Sequence, residues 1–403
     1  MNKKLKHITH CLMIDTMGLR VENVPNLKLP KAYSQLSEDP EIAHNTGWAK
    51  GNLKSESGKF MSMRVRTVKS SSQLLVEGSN SMQYLDHNIV SSGDAVMTAF
   101  SMLDAVRRQH PLHLDENFRP RLFMQGNDIE VTRLDTPAML RLPDGLNAGA
   151  LINALAFAGL RAGVATSIYP NETVYFDQHS QLESLKAYVK AIEMRRSRRE
   201  LALPATETAT ELMRLAETTL RFEAVFRLKQ LHRTFGGARI MPAMLSPEVL
   251  AGMFCELLEK YNLRGNLRCA LGSEDLMKIR LPYRSTVALW QNGVDLRSHF
   301  KGNEQLLTSH RRVIKKEHNI DVFLPPPGEI NVPIELGEIL RVENFVPIPA
   351  AIRSDPALFY QRDMRTEFRG YCQQNGISSV SAAYLDPYGL ADNDDESNGT
   401  VND

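Results

Sequence analysis

Leu220-Arg-Phe-Glu-Ala-Val-Phe-Arg-Leu228 alternates with a period of two. Leu220, Phe222, Ala224, Phe226 and Leu228 share one face of a strand, and Arg221, Glu223, Val225 and Arg227 share the other. Upstream, short apolar runs rich in β-branched residues recur at Leu12–Val21, Met61–Val68, Leu74–Glu77 and Ile129–Leu134. Between them, Ala95–Arg108 and Ala148–Ala162 have helical spacing, and a further helix is predicted over Thr210–Thr218. This mixture predicts an α+β fold with a largely antiparallel sheet. Beyond Pro242 the pattern is mainly helical: Glu248–Tyr261, Glu274–Leu281, Ser285–Asn292 and Asn303–Glu317. Pro325-Pro326-Pro327-Gly328 then reads as a stiff linker.

With 42% apolar and 24% charged residues in 403, the chain is neither disordered, nor collagen-like, nor a small disulfide scaffold. Six acids (Asp386, Asp392, Asp394, Asp395, Glu396, Asp403) and no Lys or Arg occupy residues 386–403. Taking them from a net charge of +1 leaves the body at +7, which suits a polyanionic partner. The four cysteines are scattered and read as free thiols rather than zinc ligands. The longest apolar window, Leu146–Ile168, is interrupted by Asn147, Asn153 and Arg161, so a buried helix is predicted there rather than a membrane span. A soluble, cytoplasmic protein is expected.

Thr173–Phe176 and Leu185–Lys190 read as a hairpin. On a strand, Lys186, Tyr188 and Lys190 share a face. On a helix, at roughly 100° per residue, Tyr188 and Lys190 would point about 160° apart. The extended reading puts two ammonium groups beside the phenol. That grouping suits a nucleophile, because a free phenol of pKa about 10 is roughly 0.1% ionised at neutral pH. Neighbouring lysines would lower that pKa and offset charge on a phosphodiester. An ordinary exposed strand with two solvated lysines explains the same residues.

Asp135 and Glu223 each follow an arginine by two residues, Arg133 and Arg221. On neighbouring strands the two carboxylates could hold one Mg²⁺ or Mn²⁺; two local ion pairs on a sheet surface are the other reading. Pro137 cannot donate within a ladder, so the strand carrying Asp135 is predicted to end there or lie at an edge. His87-Asn88 sits at a turn, and His7–His10 and His110–His113 are loop-like pairs. Basic residues cluster at Lys186, Lys190, Arg195, Arg196, Arg198 and Arg199, and again at Arg297, Lys301, Arg311, Arg312, Lys315 and Lys316. The second cluster follows helix, turn and helix, in the order of a helix-turn-helix or winged-helix reader. Solvated helix faces are the alternative; together the two clusters favour nucleic-acid phosphates.

Taken in order, Met13-Ile-Asp-Thr-Met-Gly-Leu-Arg20, the His87-Asn88 turn, Arg133-Leu-Asp135, Lys186-Ala-Tyr-Val-Lys190, Arg221-Phe-Glu-Ala224 and the basic helix pair resemble one family. It is the gene-two (II/X) class of filamentous-phage and plasmid rolling-circle replication initiators, and the resemblance runs from about Met13 to Ile320. It implies a relaxase-like nuclease domain that nicks one origin strand through a covalent 5′-phosphotyrosine and later rejoins it. By resemblance Tyr188 is the nucleophile, Lys186 and Lys190 flank the scissile phosphate, and Asp135 and Glu223 hold the metal. Arg133, Arg221, His87, Arg195, Arg196, Arg311, Arg312 and Lys315 are then the expected DNA contacts. Expected partners are double- and single-stranded origin DNA and a host helicase and polymerase, in the bacterial cytoplasm and without a membrane; oligomerisation on DNA is open. The expected layout is a nicking domain over 13–240, a helical DNA-binding domain over 245–325, a mixed region over 329–388 and a disordered tail over 389–403. A His–hydrophobe–His metal motif is absent, and Asp86 stands where the family tends to have glycine. A non-enzymatic origin-binding repressor is the rival reading; a tyrosine recombinase lacks its Arg-His-Arg constellation here.

Overall fold

The computed structural model describes residues 3–22, 51–68, 73–109, 129–142, 148–169, 171–263, 273–291, 294–324 and 336–378. The acidic tail, His110–His113 and the Pro325–Gly328 linker lie outside the described residues.

Among the described residues ten strands form one antiparallel sheet: β1 (Thr16–Val21), β2 (Gly51–Lys54), β3 (Met61–Val68), β4 (Gln73–Gly78), β5 (Ile129–Arg141), β6 (Thr166–Tyr169), β7 (Thr173–Phe176), β8 (Glu183–Tyr188), β9 (Thr219–Arg227) and β10 (Phe345–Val346). The order is β2-β3-β4-β1-β5-β9-β8-β7-β6, with β10 beside the far end of β5. The alternation in β9 determines which face is filled. Phe222 is in register with Ala138 and Ala187, and Phe226 with Leu134, all buried. The other face carries Arg221, Glu223 and Arg227, opposite Met139, Pro137 and Arg133.

β5 departs from expectation by running straight through Pro137 as a central strand. The reason lies in the direction of its imide nitrogen. Asp135 and Pro137 accept at their carbonyls from the N–H groups of Asp15 and Met13, so that edge of Pro137 faces the segment preceding β1. The ladder with β1 begins only at Thr16–Asp135, so the missing donor falls where no ladder bond is required.

The helices on the first core are α1 (Lys3–Thr9), α2 (Asn80–Leu85), α3 (Ala95–Gln109), α4 (Ala148–Arg161), α5 (Lys190–Arg196), α6 (Glu207–Thr218), α7 (Leu228–Thr234) and α8 (Pro247–Tyr261). Ser79, Thr206 and Ser246 cap α2, α6 and α8, accepting from the N–H groups of Met82, Ala209 and Val249. α4 lies close on β6 and β7: a Cβ at Gly159 would come within 2.5 Å of the Phe176 ring. Phe222, Phe345 and Phe254 meet edge to face, joining sheet, β10 and α8.

A second, smaller cluster gathers Ile279, Val287, Trp290, Leu296, Leu307, Ile314 and Val322. It is built from α9 (Ser273–Lys278), α10 (Tyr283–Gln291), α11 (Leu296–His299) and α12 (Glu304–His318). Among the described residues no strand joins this cluster, and Ile279 and Val322 enter it from the turns that follow α9 and α12. α8 and Leu263 pack on the first core, and the second cluster takes up from Ile279. Residues 336–372 also return to the first core, through Leu336, Phe345, Ile352 and Phe368.

Candidate active site

Tyr188 closes β8 opposite Arg221, and Lys186 lies opposite Glu223. All four side chains leave the sheet on its polar face. The Tyr188 hydroxyl donates to Glu223 Oε2 at 2.9 Å. Lys186 Nζ stands 3.8 Å from the Tyr188 ring centre and 5.6 Å from that of Tyr175. Lys190 opens α5 instead of extending the strand, yet its Nζ is still 5.8 Å from the same ring. Both lysines thus reach the tyrosine, Lys186 from the strand and Lys190 from the first turn of α5. Their predicted effect on the phenol does not follow. Burial raises the Tyr188 pKa well above the usual phenol value; Arg221 opposes, and Glu223, Asp15 and Glu193 push the same way as burial. Both ammonium groups approach the ring, whereas the group bonded to the oxygen is a carboxylate.

Behind the tyrosine lies a buried polar network. Arg221 is fully buried: Nη2 donates to Asp15 Oδ2 at 2.8 Å, and Nη1 donates to the carbonyls of Asn88 and Ile89 at 2.9 and 2.7 Å. Its Nε has no partner and lies 3.7 Å from Glu223 Oε2. Asp15 also accepts from Asn88 and from the Ser79 hydroxyl. Burial works to raise the Asp15 pKa, but Arg221, Lys190 and those hydrogen bonds outweigh it and leave the pKa lowered. Lys190 Nζ donates to Asn88 Oδ1 at 2.8 Å and pairs with Glu193, which also binds Arg199. Burial, with Arg221 adding to it, brings the Lys190 pKa down to about 8.

Two expected DNA contacts are corrected here. Arg221 has no exposed surface, and His87 is 0% exposed with neither ring nitrogen bonded. Burial, aided by Lys190, lowers the His87 pKa to about 4, so the ring is neutral. The turn that carries it depends on Asp86, which ends α2 at φ 61°. That left-handed position explains why glycine suits the site and why aspartate is tolerated.

Asp135 is held by a bidentate pair from Arg133, 2.8 Å at each oxygen, and Arg133 also reaches Glu77 at 3.0 Å. That second bond crosses over Gly18, in register with both Glu77 and Arg133. A Cβ there would lie 3.0 Å from Arg133 Cβ and 2.8 Å from Thr132 Oγ1, so a side chain would obstruct the span. Asp135 and Glu223 are diagonal neighbours across β5 and β9 on one face. Burial raises the Asp135 pKa to about 7 against Arg133, and Glu223 and Asp15 add to the rise. Asp135 and Glu223 offer oxygen donors on one face, but Arg133 takes both Asp135 oxygens, and Arg221, Lys186 and Lys190 balance the carboxylates nearby. Among the described residues no group of three or more His, Cys, Asp or Glu is arranged to hold a metal. A divalent cation here would have only these two carboxylates from the protein, with water and phosphate completing its shell, and would displace Arg133 from Asp135.

The basic segments are less free than their sequence implies. Arg195 pairs with Glu217 and Arg196 with Glu172. Arg311 makes a bidentate pair with Asp321, at 2.6 and 2.7 Å, and Lys315 joins it at 3.1 Å. Arg312 and Lys316 are exposed and outside the ion pairs found among the described residues. Asp15, Asn88 and Glu193 had no role assigned from sequence, and Arg199, read there as one of a phosphate-binding cluster, pairs with Glu193. Asp15 had a signal: it is the one charge in an otherwise apolar run, Cys11–Leu19.

Side chains from five segments, more than 200 residues apart at the extremes, thus converge on one polar sheet face. A family model, the N-terminal region of the gene-two replication-associated protein, matches residues 13–240, which include every one of them. The chain belongs to that family, the gene-two class of replication initiators. The gene-two replication-associated protein of Enterobacteria phage I2-2 is 28% identical over 294 residues, covering 70% of this chain and 76% of the phage protein. The structure of a rolling circle replication initiator protein from Geobacillus stearothermophilus overlaps 69% of this chain and 96% of its own, at 14% identity. Its TM-score of 0.29 is too low to bear on the fold. No helix among the described residues is long and apolar enough to cross a membrane.

Proposed function

We propose that the protein is a site-specific DNA nickase and strand transferase in which Tyr188 is the nucleophile. The observation that carries this reading is the 2.9 Å hydrogen bond from the Tyr188 hydroxyl to Glu223. A phenol whose pKa is raised by burial needs a base in contact, and Glu223 is that base. As Tyr188 Oη forms its bond to phosphorus, its proton passes to Glu223. The P–O3′ bond breaks, and the released O3′ takes a proton from solvent as Glu223 returns its own. Phosphotyrosine keeps the energy of the broken ester, so the reverse attack by a 3′ hydroxyl reseals a strand without ATP. Lys186, held over the ring, moves to the phosphate when a strand enters, uncovering a ring that is 4% exposed in its absence.

Arg221 and Lys190 are positioning residues: with Asp15 and Asn88 they fix the end of β8 and place positive charge behind the nucleophile. Asp135 and Glu223 would hold Mg²⁺ or Mn²⁺, which would polarise the phosphate and stabilise the leaving oxygen. The helical cluster with exposed Arg312 and Lys316 supplies phosphate contacts on origin duplex, in the host cytoplasm where replication enzymes act. A protein that only bound an origin would not need a buried tyrosine–carboxylate pair backed by an arginine. Incubated with supercoiled origin DNA and Mg²⁺, the wild type should nick and leave a peptide on the 5′ end, whereas Tyr188→Phe should bind but not cut. Nicking by Tyr188→Phe at the wild-type rate would refute the assignment.

A further inference from the structure

The polar face of the sheet does not stop at Tyr188. Two strands further out, on the edge strand β6, Tyr169 is 58% exposed. On β7 between them, Tyr175 stands in register with Lys186 on one side and Ser167 on the other. The Tyr169 and Tyr175 rings meet edge to face, centres 6.2 Å apart and planes at 72°. Lys186 bridges Tyr175 and Tyr188, 5.6 and 3.8 Å from their centres. Tyr169, Tyr175, Lys186 and Tyr188 therefore form one row from the edge of the sheet to the proposed nucleophile, across roughly 10 Å at ordinary strand spacing.

This row is not a packing feature of the core. The opposite faces of the same strands, Ile168, Val174 and Phe176, pack into the first core, where α4 lies on β6 and β7. A lone exposed tyrosine needs no explanation, but two in contact, with an ammonium between them and a third ring, present flat π-surfaces beside a phosphate-sized cation. That combination is the chemistry that holds unpaired bases: rings stack on any base, and the lysine takes the phosphate between.

We infer that Tyr169 and Tyr175 are base-stacking residues for the single strand at the nick, seating the nucleotides beside the bond that Tyr188 attacks. The inference rests on the proposed chemistry at Tyr188 for its location only, since stacking requires no bond cleavage. Lys186 marks the point where the phosphate of that strand crosses from the stacking rings to the nucleophile.

The test uses the full chain and two fluorescent probes of equal charge: a dT12 oligonucleotide and a twelve-residue abasic strand with the same phosphates. Wild type should bind dT12 more tightly than the abasic strand. Tyr169→Ala and Tyr175→Ala should each weaken dT12 binding about ten- to a hundredfold while leaving abasic binding unchanged. Tyr175→Phe keeps the ring and should bind dT12 like wild type, which separates stacking from hydroxyl contacts or misfolding. Equal losses on both probes, or dT12 binding unchanged in both alanine variants, would overturn the inference. The covalent adduct, measured separately on origin DNA, reports on Tyr188. Loss of dT12 binding without any wild-type adduct would sink the nickase reading and keep this one. A normal adduct with unaltered dT12 binding would do the reverse.

Discussion

Glu223→Gln removes the proton acceptor while keeping the hydrogen bond. The amide oxygen can still accept from the Tyr188 hydroxyl, now 2.9 Å from Oε2, so no buried hydroxyl is orphaned, and the buried Arg221, 3.7 Å away, keeps Asp15 as its direct partner. Glu223→Ala differs, because it leaves that hydroxyl unsatisfied at a cost of roughly 1–3 kcal/mol. The Gln side chain cannot take the proton. A positioned general base contributes about 10²–10⁴ in rate, so the first-order rate of adduct formation at saturating DNA should fall by that factor. This corresponds to roughly 2.7–5.4 kcal/mol of barrier. The pH profile sharpens the test. Burial holds the phenol pKa well above its usual value, and without a base only the small ionised fraction reacts. The residual rate in Glu223→Gln should therefore climb about tenfold per pH unit from roughly pH 7 to 9. A variant that had merely lost a metal ligand would instead regain rate with added Mg²⁺ or Mn²⁺, with little change in slope. Adduct formation within about threefold of wild type, or full recovery with Mn²⁺ alone, would refute the base role.

Asp15→Ala removes the partner of an arginine with no exposed surface, and uncompensated buried charge of this kind costs about 3–5 kcal/mol, read by urea denaturation. Because the folded-state pKa of Asp15 lies below its unfolded value, its contribution is complete above about pH 4. It is lost as pH falls through the folded-state pKa, so the gap between wild type and Asp15→Ala should narrow only on acidification below about pH 4; a gap closing between pH 5 and 7 would contradict the assignment. Arg312→Ala should flatten the salt dependence of duplex binding by about one unit of log–log slope without loss of stability. Arg311→Ala should chiefly destabilise the helical cluster, by removing the bidentate partner of the buried Asp321 and leaving it Lys315 and the Phe323 N–H. Identical effects of the two substitutions would show that the Asp321 pair does not distinguish them.

Arg221 and Arg227 show what was legible in the sequence and what was not. Both lie on the polar face of the same alternating strand, six residues apart, with the same local pattern. Period two placed them correctly, and it placed Tyr188 and Lys186 correctly through Leu185 and Ala187 on the buried side. Helices such as Ala95–Gln109 and Pro247–Tyr261 were legible for the corresponding reason, their apolar spacing. Periodicity identifies a face but not what roofs it. The Asn88–Ile89 turn, some 130 residues earlier, covers Arg221 completely and leaves Arg227 half exposed. The same roof buries Lys190 and His87. A buried charge is tolerated only where partners meet it, and here the partner of Arg221 is Asp15, 206 positions away. Residues whose basicity points to DNA are for this reason divided in the fold between two tasks. Those at the roofed end hold the tyrosine and its base in place, and those toward the open edge, from Lys186 outward, are left for the strand.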